Sequence, residues 1–232
     1  MKINNNYKKF SYIIFIVIII FFSLWMLNIK YGIITNEKDN TISDFVTVND
    51  YQGKDFSKLS DFHENSISGV KNIDIKNYKL KVDGLVDKPL DMGYSFITYV
   101  YPAHKKIARL NCVEGWSVNI LWEGFLVSDL LKSVGVKDGA KTVIFKAVDG
   151  YTTSFPLDYI MNNKIIMAYK MNDKIIPPER GFPFQLVAES KWGYKWIKWI
   201  TGIEVSADEN YQGYWESRGY SDTGDLNKSK LK

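Results

Sequence analysis

The sequence predicts a mixed α+β domain, rich in antiparallel and irregular sheet with short helices, preceded by one transmembrane helix. Three observations carry this. Residues 10–29, FSYIIFIVIIIFFSLWMLNI, hold no charged side chain. Further along, short runs with apolar residues at alternate positions recur between turn signals, the pattern of strands. Only a few short helical stretches separate them, an order that suits α+β rather than regular strand–helix alternation.

At 1.5 Å per residue the apolar run spans roughly 30 Å as a helix, the thickness of a hydrocarbon core. Lys2, Lys8 and Lys9 precede it and Lys30 follows, after which the chain turns polar and partly acidic. That bias places the N-terminus inside and the rest outside: a single pass through the cell membrane, with the domain on the extracytoplasmic side. No small-x-small cleavage site follows the run, which favours an uncleaved anchor over a signal peptide. No cysteine stands after it to take a lipid. Residues 31–55 are polar and without period, a tether. The expected division is an anchor over 1–30, a tether over 31–55 and a folded domain over 56–232.

Within the domain, YKLKVDGLV alternates at Tyr78, Leu80 and Val82 and reads as a strand, with a turn or bulge at Asp83-Gly84. Pro89 breaks the next segment. KKIARLNC reads as a strand running into Cys112. SDLLKSVGV reads as a short helix, with Ser128 as N-cap and Gly135 as its stop. KTVIFKAVDGYTTSFPL reads as a hairpin turning at Asp149-Gly150, and PLDYIMN as one or two helical turns. KIIMAYKMNDKIIPPE reads as a second hairpin, turning at Asn172-Asp173. FPFQLVAE and KWIKWITGIEV read as the last strands, and the tail after Asp222 as frayed.

The 232 residues carry 46% apolar and 15% aromatic side chains, enough for a sizeable core. The net charge is +4 and the lysines are scattered among acids, so nucleic acid is not an expected partner. A single cysteine excludes an internal disulfide and a multi-cysteine zinc site, and two histidines argue against a histidine-rich metal centre.

The cysteine stands in LNCVEGWS, Leu110 to Ser117. It leaves a strand-like run at a turn where Gly115 permits close backbone approach and Trp116 can wall off a pocket. Alone, such a residue reads as a small buried hydrophobe or as a reactive or ligating thiol. A thiolate suits a soft or redox-active metal, and one protein sulfur is enough if a cofactor supplies the others.

The surrounding blocks resemble the sulfite oxidase family of molybdopterin oxidoreductases, in particular small bacterial members without a haem domain. They come in the family's order: DFHENSI, YKLKVDGLVDKPL, LNCVEGWSVNILWEGFLVSDLL, VDGYTTSFPL, IPPERGFPFQLVAESKWGYKWIKWITGIEV and GYWESRGYSD, from about Asp61 to Tyr220. The resemblance implies a sulfite oxidase-type molybdopterin-binding domain. It implies molybdenum held by a single pyranopterin and by Cys112, with His63, Glu64, Asn65, Arg180, Gln185, Lys195, Trp196, Ile197 and Lys198 as cofactor contacts. Tyr214 and Arg218 are substrate-pocket candidates, where an oxyanion or sulfoxide would want a donor. His104 reads as a turn residue. Arg109 reads either as a surface residue or as an anion contact.

Three positions depart from the family's pattern. Lys8-Lys9 stands where exported relatives carry twin arginines, His63 where an arginine or tyrosine is frequent, and Gln185 where an arginine is usual. Neither length nor histidines suit a haem domain, so no haem is expected, and electrons must pass to or from a separate partner, expected in the membrane. The function implied is two-electron oxygen-atom transfer on a small sulfoxide or sulfite-like substrate, with reduction favoured by analogy to the small members. The alternatives are a cofactor-free surface binding module that retains the fold, and a thiol enzyme pairing Cys112 with His63 or His104.

Overall fold

A computed structural model of the chain describes Ser57 and residues 62–232. The predicted anchor, nearly all of the tether, and Asp61 lie outside the described residues. Among the described residues no helix is long and apolar enough to cross a membrane.

The described part is a mixed α+β fold of two five-stranded sheets and three short helices. The strands of the first sheet are β1 (Leu80–Gly84), β2 (Leu90–Met92), β5 (Thr142–Ala147), β6 (Thr152–Pro156) and β10 (Ile200–Ser206). Their order is β2-β1-β10-β5-β6, antiparallel except for the parallel β1–β10 pair. The second sheet holds β3 (His104–Asn111), β4 (Ser117–Leu126), β7 (Ile166–Met171), β8 (Lys174–Ile175) and β9 (Gln185–Val187), all antiparallel. The helices are α1 (Tyr94–Val100), α2 (Val127–Val134) and α3 (Leu157–Asn162).

Both predicted hairpins form. Gly150 takes φ 86° in one turn, and Asn172 and Asp173 take φ 47° and 61° in the other. Those paired left-handed residues match the twist of the flanking strands. The strand β4 had no alternation to announce it, because Ile120 to Phe125 are buried without interruption. Gly124 lets β7 come close there: a Cβ on it would lie 2.2 Å from the Met167 carbonyl oxygen. Across the sheets, Phe125 meets Phe184 edge-on at 5.6 Å, and Tyr78 meets Phe184 at 5.8 Å while its hydroxyl donates to the Ile200 carbonyl. One buried apolar cluster draws on both sheets.

Three expectations need correction. Ser128 does not cap α2: it is buried inside the first turn and Leu126 holds the cap position without a side-chain bond. The helix stops at Gly135, φ 69°, as expected. Lys195 to Trp199 is not strand. A 3-10 turn covers Gly193–Lys195, and Trp199 sits at φ 52°, a conformation bulky residues rarely adopt, before β10 begins. Nor is the tail frayed. Asp225 bridges Lys191, Tyr220 bridges Leu231, and Lys228 pairs with Asp225 at 3.0 Å.

Candidate active site

Cys112 leaves the end of β3 into a tight loop that returns at Ser117, opposite Asn111 in register. The Cys112 N–H donates to the Trp116 carbonyl at 2.9 Å, and the Gly115 N–H donates to the Cys112 carbonyl at 3.1 Å. Gly115 closes this turn at φ 96°, where a side chain would be strained. The loop packs against the turn after Trp192; a Cβ on Gly193 would lie 3.2 Å from the Asn111 carbonyl oxygen.

These elements wall a cavity of about 450 Å³, within the range of small-molecule sites. Four stretches reach it: residues 62–67, the Cys112 loop, the 149–151 turn, and residues 193–199. Gln185 and two aromatics of the C-terminal segment, Trp215 and Tyr220, complete it.

Cys112 is 8% exposed and faces this space. The amide of Asn65 donates to its Sγ at 3.7 Å. Burial pushes the thiol's pKa up, opposed by the backbone N–H groups of Glu114 and Val113 and by the Lys230 ammonium. His63 stacks on Trp116 at 5.5 Å, and the Trp116 indole N–H donates to Glu114 Oε2 at 3.2 Å.

The predicted cofactor residues divide into two groups. Cys112, His63, Glu64, Asn65, Gln185, Trp196, Ile197 and Lys198 share the cavity wall. Arg180 and Lys195 do not line it. The Arg180 guanidinium donates to the carbonyls of Phe62 and His63 and lies 4.2 Å from the Phe62 ring, so it fixes the segment that brings His63 to Asn65 into place. Lys195 is fully buried. Its ammonium donates to Glu216 Oε1 at 2.6 Å, to the Ser154 carbonyl at 2.7 Å and to the Asp222 carbonyl at 3.0 Å. A lysine has three N–H donors, so none is left for a phosphate. Lys198 differs: it donates to Glu64 at 2.9 Å and to the Glu179 carbonyl at 3.3 Å, which leaves one N–H.

Tyr214 and Arg218 also stand off the cavity. The short 3-10 turn Glu216–Arg218 points Glu216 inward to Lys195, and with three residues per turn Arg218 is then rotated away. Arg218 is exposed and lies 3.7 Å from the Tyr214 ring, which backs onto Tyr151 at 5.6 Å. Arg109 bonds Ser117 at the surface, and His104 begins β3 opposite Gly124; neither lines the cavity. Trp215, Tyr220, Tyr151 and Asp149 were missed as wall residues. Their blocks were recognisable, but no local pattern distinguishes an aromatic that faces a cavity from one that backs it.

Gln185 tests what the cavity accepts. It is 2% exposed, and its Oε1 has no partner among the described residues. A buried acceptor left without a donor costs about 1–3 kcal/mol, so the site calls for a ligand N–H at that point. The edge of a pterin ring carries such donors, and the thiol of Cys112 stands in the same wall for a metal. The residues present fit a metal-bearing pterin.

The comparisons agree. The model of the oxidoreductase molybdopterin binding domain matches residues 67–215. The chain belongs to this family. It is 35% identical over 153 residues to an uncharacterized oxidoreductase, YuiH, of Bacillus subtilis, covering 66% of this chain and 76% of that protein. It is 28% identical to the protein-methionine-sulfoxide reductase catalytic subunit MsrP of Campylobacter jejuni, over 82% of this chain and 68% of the relative. Among solved structures, the sulfane dehydrogenase SoxCD of Paracoccus pantotrophus shares the fold with a TM-score of 0.58 at 24% identity, over 61% of this chain and 41% of that one. As a molybdopterin-binding oxidoreductase, the protein takes molybdopterin as its cofactor.

Proposed function

We propose that the protein is a sulfoxide reductase whose molybdenum is ligated by Cys112. The observation that carries this reading is the pairing, in one cavity wall, of the Cys112 thiol with the unpartnered carbonyl of Gln185. The bound cofactor supplies two-electron oxygen-atom transfer. The chain does the rest. Cys112 gives the thiolate, and the Asn65 amide, a side-chain donor to its sulfur, helps to orient it. Gln185 would accept from the N–H edge of the ring. Lys198, held by Glu64, would offer its remaining N–H to the phosphate. Trp196 and Ile197 exclude water below, and the stacked His63 and Trp116 do so at the mouth. The relative named a methionine-sulfoxide reductase favours sulfoxide over sulfite as substrate. That relative is a catalytic subunit, which supports a separate electron donor here also.

We further propose that residues 10–29 anchor the protein in the membrane with the domain outside, on the strength of the uncharged run and the lysines before it. Protease added to intact cells should then degrade the domain.

The functional test is expression in a host that makes the cofactor, followed by metal analysis and assay with reduced viologen. About one molybdenum per chain and turnover of sulfoxides are expected. Cys112→Ala should fold normally, with thermal melting within a few degrees of the parent, and lose turnover. A fully active Cys112→Ala would sink the assignment.

A further inference from the structure

The charges around the cavity are unbalanced. Three carboxylates line it, Glu64, Glu114 and Asp149, against one lysine, Lys198. Lys198 is paired with Glu64 at 2.9 Å. Among the described residues Glu114 and Asp149 enter no ion pair. Both carboxylates are held in position. The Trp116 indole N–H fixes Glu114 at 3.2 Å, and the Tyr151 backbone N–H donates to Asp149 Oδ1 at 3.0 Å.

The nearby cations are committed elsewhere. Lys195 is enclosed with Glu216, Arg180 bonds backbone carbonyls, and Arg109 bonds Ser117. Lys230 donates to the Val113 carbonyl at 2.7 Å and does not line the cavity. Much of the remaining wall is aromatic: Trp116, Tyr151, Trp215 and Tyr220.

We propose that Glu114 and Asp149 act as a charge filter, so that the site admits neutral organic sulfoxides and turns away anions, sulfite and carboxylated sulfoxides included. The proposal rests on the sulfoxide-reductase reading and names the substrate class within it. A neutral sulfoxide carries a strong S–O dipole but no net charge. Its carbon arms suit the aromatic walls, and sulfur makes favourable contacts with aromatic rings. An anion meets two fixed like charges, Glu114 exposed to solvent and Asp149 half-buried, which together lower its occupancy about tenfold at low salt. In the balanced reaction, two molecules of a one-electron dye such as reduced viologen supply one electron each and the solvent supplies two protons. The S–O bond breaks, the oxygen leaves as water, and the sulfur keeps the electron pair as a thioether.

The test uses the full-length, cofactor-loaded protein, reduced viologen, and two aryl sulfoxides: methyl phenyl sulfoxide and its para-carboxylate. The kcat/KM should favour the neutral compound by about tenfold at low salt and by less at high salt. Glu114→Gln, which still offers an oxygen to the Trp116 N–H, should narrow the ratio by about threefold, and Asp149→Asn should narrow it independently. An unchanged ratio in both variants overturns the filter. Because Trp116 and Trp215 line the cavity, tryptophan quenching reads binding of the same two compounds without turnover. Preferred binding of the neutral sulfoxide with no reduction of either compound would leave the filter standing and remove the reductase reading. Equal binding and equal reduction of both would do the reverse.

Discussion

Two lysine–glutamate pairs begin three residues apart in the sequence and finish in different surroundings. Lys195 and Glu216 are both 0% exposed, whereas the side chains of Lys198 and Glu64 are 15% and 31% exposed. Burial pushes both ammonium pKa values down, and in each case the glutamate opposes that shift. The difference lies in what remains free. Lys195 has used every N–H inside the protein, and Glu216 also accepts from Thr153. This pair fastens the C-terminal segment, with Trp215 and Tyr220, to β6 and the cavity wall. Lys198 still has an N–H to offer a ligand. The first pair builds the wall and the second faces the space inside it.

The sharpest way to break this contrast is to remove one partner of the buried pair. Lys195→Met should destabilise the protein by about 3–5 kcal/mol, because it strands a buried carboxylate. Glu216 already has one unpartnered oxygen, Oε2, so it has little capacity to adapt. The double variant Lys195→Met/Glu216→Leu should recover much of the loss, since apolar replacements of similar volume often match a buried ion pair. Denaturant unfolding reads both. A Lys195→Met protein as stable as the parent would mean the pair is no staple.

A smaller effect belongs to the tail that this staple helps to hold. Burial pushes the Asp225 carboxyl up, but hydrogen bonds from Lys191 and Lys228 outweigh it and lower the pKa from 3.8 to about 2. A carboxyl depressed in the folded state stabilises above its unfolded value, and that contribution disappears as pH falls from about 4 to about 2. The hydrogen-exchange protection factors of Leu226 and Lys228, whose N–H groups donate to the Ser190 and Asp225 carbonyls, should fall as the pH drops through that window. Asp225→Asn should flatten the pH dependence. A parent tail that stays equally protected at pH 2 would remove the clamp from the account.

The smallest stability effect is expected at the second pair. Lys198→Met should cost less than about 1 kcal/mol, as partly solvated ion pairs do. Its effect should fall instead on the cofactor, as faster loss of molybdenum during dialysis. If Lys198→Met destabilised the fold as much as Lys195→Met, the division between wall and site would collapse.

Much of the fold was legible wherever the chain alternates or turns with residues of known habit. β1, the β5–β6 hairpin and the β7–β8 turn at Asn172-Asp173 are of this kind. β4 was not legible, since a strand buried on both faces shows no period. The run Lys195 to Trp199 misled in the opposite way: it is rich in the aromatic and β-branched residues that favour strands, yet the 3-10 turn and the left-handed Trp199 break it. Local pattern could not show that Arg180 would be held by carbonyls at Phe62 and His63, more than a hundred residues away.

The sequence by itself determined the family, through its ordered blocks. It also determined that any metal bound by a protein thiolate must be bound by Cys112, because there is no other cysteine to choose. Those are matters of residue type and order, which survive without knowing the fold. Only the tertiary structure decided which polar side chains face the cavity. It turned Lys195 and Arg180 into supports, left Tyr214 and Arg218 outside, and brought Gln185, Glu114 and Asp149 to the wall. The reason is physical: a side chain's partners are set by long-range packing, and a buried donor or acceptor bonds whatever that packing brings within about 3 Å.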